Sequence, residues 1–245
     1  MSERLRVAIT GAGGLVGRVL VGRLDPGRFE VVALGRADAD VTDLDEVARA
    51  VAGSDAIVHL AANADVGAGW EDLVGPNLIG AYHVYEAARR QRVRRVVFAS
   101  SNHVVGMYLT DDERFIDPEH PIEVGADAPI RPDSLYGASK AWGEALGRFY
   151  AERHGLEVVC LRIGWVTEDD RPPGQSDPIR GGPEVQRRAP AMWLSHRDCA
   201  SLVAASLEAQ VGFAIVNGVG DNPGRWFSLD EGRRVLGWEP LDGLG

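Results

Sequence analysis

The sequence predicts an α/β chain built on a doubly wound parallel sheet. Three observations predict it. Short runs that are apolar throughout, such as Val7-Ala8-Ile9 and Val96-Val97-Phe98, alternate with segments of helical spacing. Strands that are apolar on both sides belong in a sheet covered on both faces, which is the parallel arrangement. A glycine-rich stretch, Gly11-Ala12-Gly13-Gly14-Leu15-Val16-Gly17, joins the first strand-like run to the first helical one.

The elements follow in order. Strands are expected over 5–10, 29–34, 56–60, 93–99, 157–163 and 213–217. Helices are expected over 15–24, 44–52, 78–90, 134–154 and 198–209, with a short one near 229–236. Thr42 or Asp43 supplies a cap for the second helix. Segments 107–133 and 168–190 are rich in Pro, Gly and charged residues and show no period. They read as long loops meeting over the strand ends, where ligands of open α/β sheets bind. No internal repeat is visible. The 245 residues suit one domain. Segments of about 107–133 and 165–245 would form its substrate-binding part.

Composition narrows the function. The chain is 45% apolar and 25% charged, with a net charge of −10. That balance is ordinary for a globular protein, and its sign disfavours nucleic acid and anionic membrane surfaces. The first residues run straight into a strand, which is not the pattern of a signal peptide. No stretch approaches the roughly 18 apolar residues of a membrane span. The two cysteines, Cys160 and Cys199, imply no disulfide framework and suit a reducing compartment. A soluble cytoplasmic protein is expected. Asp117, Glu119 and His120 lack a metal-ligand spacing, and no metal is expected.

Gly11, Gly14 and Gly17 form a GxxGxxG turn between strand and helix. Such a turn brings backbone close to a pyrophosphate at a helix N-terminus. A βα turn can also be glycine-rich for packing alone; the strand before and helix after favour the dinucleotide reading. At the end of the second strand, an acid would accept from a ribose 2′-OH and an arginine would accommodate a 2′-phosphate. Arg36 stands there in Leu34-Gly35-Arg36-Ala37-Asp38. It points to NADP over NAD, although an arginine stacked on adenine would tolerate either. Asp40 and Val41 stand where an adenine edge would be held, and Asp40 reads equally as a helix-start residue.

Tyr136 and Lys140 are four residues apart, on one face of a helix. A phenol is a poor base at neutral pH, and a nearby ammonium favours its ionised form. Tyr136 would then exchange a proton with a substrate oxygen while hydride moves to or from a nicotinamide. Ser100 and Ser101 follow the fourth strand, at the edge where a hydroxyl is needed to hold that oxygen. Of 26 Lys and Arg residues, Lys140 is the one lysine. A compact ammonium there is not interchangeable with a guanidinium. A surface tyrosine on an amphipathic helix is the bland alternative.

TGAGGLVG, HLAA at 59–62, Asn77, FASSNH at 98–103, LYGASK at 135–140 and LRIG at 161–164 together resemble the extended short-chain dehydrogenase/reductases, the NAD-dependent epimerase/dehydratase group. The resemblance covers nearly the whole chain. It implies a Rossmann-type fold in which Gly11, Gly14, Leu15, Val16 and Gly17 hold the pyrophosphate. Leu60, Ala61, Ala62, Asn77, Ser100 and Ile163 would line the cofactor path. Tyr136 would be the acid/base, Lys140 would bind the nicotinamide ribose, and Ser101 would polarise the substrate oxygen. Within that family, the runs 101–106 and 192–198 look like those of uronate dehydrogenases and archaeal-type NAD-dependent glucose-6-phosphate dehydrogenases. Those enzymes oxidise the C1 hydroxyl of a cyclic sugar to a lactone. Asn102 and His103 would then touch sugar hydroxyls, and Arg188 would clamp an anionic group. His59 and Cys160 read as packing.

The chain departs from the uronate dehydrogenase pattern at three places: Trp165 replaces a small serine, Ala64 or Asp65 stands for another, and Arg36 replaces an acid. The expectation is an NAD(P)-dependent oxidation of a uronate, aldose or sugar phosphate at C1, by a homo-oligomer associating through helices 78–90 and 134–154. A nucleotide-sugar epimerase, dehydratase or reductase is the alternative. A non-catalytic NADP(H)-binding regulator is the third reading.

Overall fold

A computed structural model describes residues 4–108, 123–175, 186 and 189–244. Its elements are β1 (Leu5–Thr10), α1 (Leu15–Arg23), β2 (Phe29–Leu34), α2 (Leu44–Ala50), β3 (Ala56–His59), α3 (Trp70–Leu73), α4 (Gly80–Gln91), β4 (Arg95–Ser101), α5 (Leu135–His154), β5 (Glu157–Ile163), α6 (His196–Glu208) and β6 (Phe213–Gly218). The strands form one parallel sheet in the order β2-β1-β3-β4-β5-β6. After β2 the chain crosses to the far side of β1. Connections therefore leave β1 and β3 in opposite directions, and the crevice at their carboxyl ends is the topological switch point.

Alternating strand residues feed two cores. Val7, Ile9, Val97 and Leu161 pack on one face with Leu20 of α1 and Leu202 of α6. Ala8, Ile57, Val96 and Phe98 pack on the other with Val47 of α2, Val84 of α4 and Tyr150 of α5. Arg95, fully buried at the start of β4, ties the sheet to α6. Its guanidinium donates to the backbone carbonyls of Ser206, at 3.0 Å, and of Leu207 and Ala209. A cation at a helix C-terminus satisfies carbonyls that lack intrahelical partners.

Several boundaries differ from those expected. The helix expected over 78–90 starts earlier, at Trp70, and passes through a π turn over Val74–Ile79 before α4. Pro76 lies in that turn. Having no N–H, it breaks the regular ladder, and the π turn absorbs the break. The fourth strand runs on to Ser101, so both serines are strand residues. Asp43 caps α2, accepting from the N–H groups of Asp45 and Glu46. Helix α6 starts at His196 because Ser195 caps it, accepting from Asp198 N at 3.0 Å. Over 229–236 the chain forms only a π turn, Gly232–Leu236, closed by Gly237 at φ +61°. Residues 123–133 of the first expected loop are described, and Val124 makes a parallel bridge to Phe227. Arg188, Asp117, Glu119 and His120 lie outside the described residues. No helix among the described residues is long and apolar enough to cross a membrane.

Candidate active site

The glycine turn sits in the switch-point crevice. Gly11 adopts φ +71°, and a Cβ on it would lie 2.7 Å from Ala61 N. Only glycine lets the turn after β1 approach the loop after β3 this closely. A Cβ on Gly17 would lie 2.5 Å from Gly11 O, so α1 also needs a glycine where it meets its own entry turn. Gly13 faces open space. No side chain caps the N-terminus of α1, which begins after Gly14. Leu60 and Ala61 border the same crevice.

Helix α5 carries the reactive side chains. Ser134 caps it, its hydroxyl accepting from Gly137 N at 3.0 Å. Tyr136 and Lys140 are both buried on its inner face, beside Ser101 at the end of β4. The Ser101 hydroxyl donates to Asn102 Oδ1 and accepts from His103 N, both at 3.2 Å. Lys140 Nζ lies 5.6 Å from the centre of the Tyr136 ring and 5.3 Å from that of Phe98. No carboxylate pairs with it among the described residues. Burial alone lowers Lys140 to about 8. Burial raises Tyr136, and the nearby Ser101 hydroxyl only partly offsets this. The sequence suggested a phenol lowered by its lysine; in the folded chain burial dominates and raises it.

Four expected cofactor contacts also have partners within the protein. Asn77 is buried in the π turn; Oδ1 accepts from Asn63 N at 2.8 Å, and Nδ2 donates to Asn63 O at 3.0 Å and to Ser139 Oγ at 2.9 Å. Its amide ties the loop after β3 to α5. Ser100 donates to Glu144 Oε1 at 2.6 Å, because a buried carboxylate on α5 faces it. Glu144 is in turn held by Arg162 through two bonds of 2.9 Å. Asp40 Oδ1 accepts from the N–H and hydroxyl of Thr42, forming a turn. Val41 packs on Gly80, and its carbonyl accepts from His83 Nδ1 at 2.9 Å. Arg36, by contrast, is 90% exposed, with Asp40 Oδ2 3.9 Å away. His59 is buried against Thr10 Oγ1 at 2.8 Å; burial, then the nearby Lys140, lowers it to about 3. It is neutral packing, as expected.

The substrate side lies on the turn after β4. Asn102 is buried, and its Nδ2 donates to Met192 Sδ, a weak acceptor, at 2.9 Å. His103 lies edge-on to Tyr136, with ring centres 5.8 Å apart. Its Nδ1 donates to Asp133 Oδ2 at 2.8 Å. Trp165 follows β5, its backbone zipped to residues 192–194 by bonds of 2.7 and 3.0 Å. Ile163 ends β5 level with Ser101. Sequence reasoning missed Glu144, Arg162 and Asp133. Glu144 was findable, since it sits eight residues past Tyr136 on the same helical face.

These residues fit a dinucleotide. The turn over Gly13 is open, the α1 N-terminus is uncapped, and Lys140 offers an unpaired ammonium to ribose hydroxyls. Residues 7–167 match the model of the NAD dependent epimerase/dehydratase family. The chain belongs to that family. This epimerase/dehydratase-family chain is 41% identical to an L-arabinose 1-dehydrogenase (NAD(P)(+)) of Haloferax volcanii, over 97% of this chain and 96% of that one. It is 36% identical to an NAD-dependent glucose-6-phosphate dehydrogenase of the same organism, over 96% and 93%. Among solved structures, the uronate dehydrogenase of Agrobacterium tumefaciens superposes with a TM-score of 0.77 at 34% identity, over 98% of this chain and 85% of that one.

Lys140 makes stability depend on pH. Its folded value, about 8, lies below its ordinary 10.5, so the folded chain holds this proton less tightly than the unfolded chain. The resulting cost is full below about 8 and fades as pH rises toward 10.5. In urea unfolding without cofactor, Lys140→Met should be more stable than the parent at pH 7 by about 3 kcal/mol. The gap should narrow at pH 10. Equal stability of the two proteins at both pH values would refute the buried, unpaired ammonium.

Proposed function

We propose that this chain oxidises the C1 hydroxyl of a cyclic sugar or sugar acid to a lactone, with NAD(P)+ as hydride acceptor. The observation that carries the reading is the burial of Ser101, Tyr136 and Lys140 together at one strand edge, with the Lys140 ammonium 5.6 Å from the centre of the Tyr136 ring. Likeness to an L-arabinose 1-dehydrogenase, a glucose-6-phosphate dehydrogenase and uronate dehydrogenases supports the substrate class.

The main chain of Gly11, Gly14, Leu15, Val16 and Gly17 would hold the pyrophosphate, and Lys140 the nicotinamide ribose. A nicotinamide bound there supplies the hydride acceptor. Tyr136 takes the proton from the C1 hydroxyl, and Ser101 orients the same oxygen. The Lys140 ammonium lowers the cost of negative charge on Tyr136 as the proton moves. Asn102, His103 and Trp165 would face the rest of the ring, with Arg188 available for an anionic substituent. The trade of a small serine for Trp165 removes space, which favours a small sugar over a bulky one.

Arg36 supports acceptance of NADP alongside NAD. It stands at the end of β2, exposed and only loosely paired, so its guanidinium is free to meet a 2′-phosphate. A second copy of this chain is the proposed partner. Trp70 of α3, Tyr82 of α4, and Trp142 and Phe149 of α5 are large apolar residues left exposed on the helices expected to associate.

Reduced cofactor, followed by absorbance, should appear with NADP or NAD and one member of a panel of free aldoses, uronates and glucose 6-phosphate. Tyr136→Phe should lose roughly 10²–10⁴-fold in kcat while still binding cofactor. Unchanged turnover would sink the mechanism, and silence across the panel would sink the substrate class. Arg36→Ala should raise KM for NADP roughly tenfold and leave that for NAD unchanged; equal effects on both would remove the 2′-phosphate role. Sedimentation velocity should show an oligomer that Trp142→Glu weakens, whereas a monomer at micromolar concentration would exclude association through α4 and α5.

A further inference from the structure

Beside the reactive tyrosine lies a second hydrogen-bonded unit. The run 131–134, which leads into α5, lies along the turn Asn102–Val105: Arg131 N donates to Val104 O and Met107 N to Arg131 O, both at 3.0 Å. This places the Asp133 carboxylate on His103 Nδ1, at 2.8 and 3.0 Å from its two oxygens. Ser134, the cap of α5, donates to Asp133 Oδ1 at 3.0 Å. One carboxylate therefore joins the His103 ring to the start of the helix carrying Tyr136 and Lys140.

Two glycines make room for this unit. A Cβ on Gly106 would lie 2.0 Å from Asp133 Oδ2, and one on Gly137 would lie 2.3 Å from His103 O. Asp133 itself sits below the ordinary carboxylate range: burial pushes it up, but hydrogen bonding and charge from His103 and the Ser134 bond outweigh this. An ionised carboxylate only accepts, so the hydrogen on His103 resides on Nδ1. In a neutral imidazole the opposite nitrogen, Nε2, is then an acceptor. It lies on the side of the ring away from Asp133, and the ring is edge-on to Tyr136. His103 keeps 30% of its side chain exposed.

We propose that Asp133 is a positioning residue for substrate: it holds His103 with hydrogen on Nδ1, so that Nε2 accepts from a sugar hydroxyl next to the one Tyr136 deprotonates. The proposal rests on the sugar-oxidation reading and adds a requirement to it, a free hydroxyl on the carbon beside the reacting one. Whenever His103 is uncharged and held in this tautomer, it rejects a group there that has no hydrogen to give, because two acceptors would face each other.

The tautomer is read without any substrate, by ¹⁵N NMR of histidine-labelled protein, with His103→Asn identifying the signal. Nε2 of His103 should be unprotonated in the parent, and Asp133→Ala should populate the Nε2–H form. With the sugar the enzyme oxidises, Asp133→Ala should raise the sugar KM roughly ten- to a hundredfold, with cofactor KM unchanged. Asp133→Asn should restore most of this, since its amide oxygen accepts the same N–H. Gly106→Ala, which leaves Asp133 in place but displaces its carboxylate, should match Asp133→Ala. In a His103→Ala background, Asp133→Ala should cost nothing further. An Nε2–H tautomer in the parent, or an equal Asp133 effect without His103, overturns the proposal. If the parent oxidises no sugar at all, the sugar reading falls, and the NMR result alone decides whether Asp133 orients His103.

Discussion

The close seating of α5 against the edge of β4 and β5 is the constraint on which the site depends. Tyr136, Lys140 and Glu144 share one face of that helix, and each must reach a different group on the sheet. Gly143 permits the approach, since a Cβ there would lie 2.1 Å from Phe98 Cζ. Gly147 does the same against Tyr85 Oη. Glu144 then fixes the register by accepting from Ser100 of β4 and Arg162 of β5. Both charges of that pair are almost fully buried, with 1% and 2% of their side chains exposed. Removing either partner would strand the other in a low dielectric, a loss of about 3–5 kcal/mol. The pair therefore sets where Tyr136 stands relative to Ser101.

With that helix seated, the electrostatics follow from burial. Around Lys140 the interior holds the neutral His59 imidazole, and no carboxylate pairs with the ammonium among the described residues. His59 stays neutral because it is enclosed and because Lys140 is near. Lys140 keeps its proton loosely. A phenol in this setting is a weak acid while the site is empty. In the proposed reaction, Ser101 would hold the substrate oxygen and the Lys140 ammonium would stand near the ring, and both placements depend on geometry set by the helix rather than on the residues taken singly.

The crevice between β1 and β3 supplies the other half. Gly11 and Ala61 meet because β1 and β3 are parallel neighbours, so the turn after β1 and the loop after β3 leave from the same end of the sheet. Asn77 extends this contact to α5 by bonding both the Asn63 backbone and Ser139. The cofactor turn, the loop after β3 and the reactive helix are thus one connected wall. Pro76 takes part indirectly, since the π turn it imposes is where Asn77 leaves the helical ladder.

The sequence by itself determined the parallel α/β layering, all six strands to within two residues, the glycine turn, and the i,i+4 placement of Tyr136 and Lys140. These are legible because apolar periodicity, glycine spacing and i,i+4 placement are local properties of the chain. It misjudged the start of the helix at Trp70, because Gly75 and Pro76 look like a boundary and a π turn leaves no periodic trace. It did not show that polar groups of Ser100, Val41 and Asn77 meet protein partners brought from distant segments, or that Asp40 holds a local turn with Thr42. Glu144 with Arg162, and Asp133 with His103, went unseen as pairs for the same reason. Charge and hydrogen-bond partners depend on which elements pack together, and only the tertiary structure decided that Ser101, Tyr136 and Lys140 share one buried edge while Arg36 remains free in solvent.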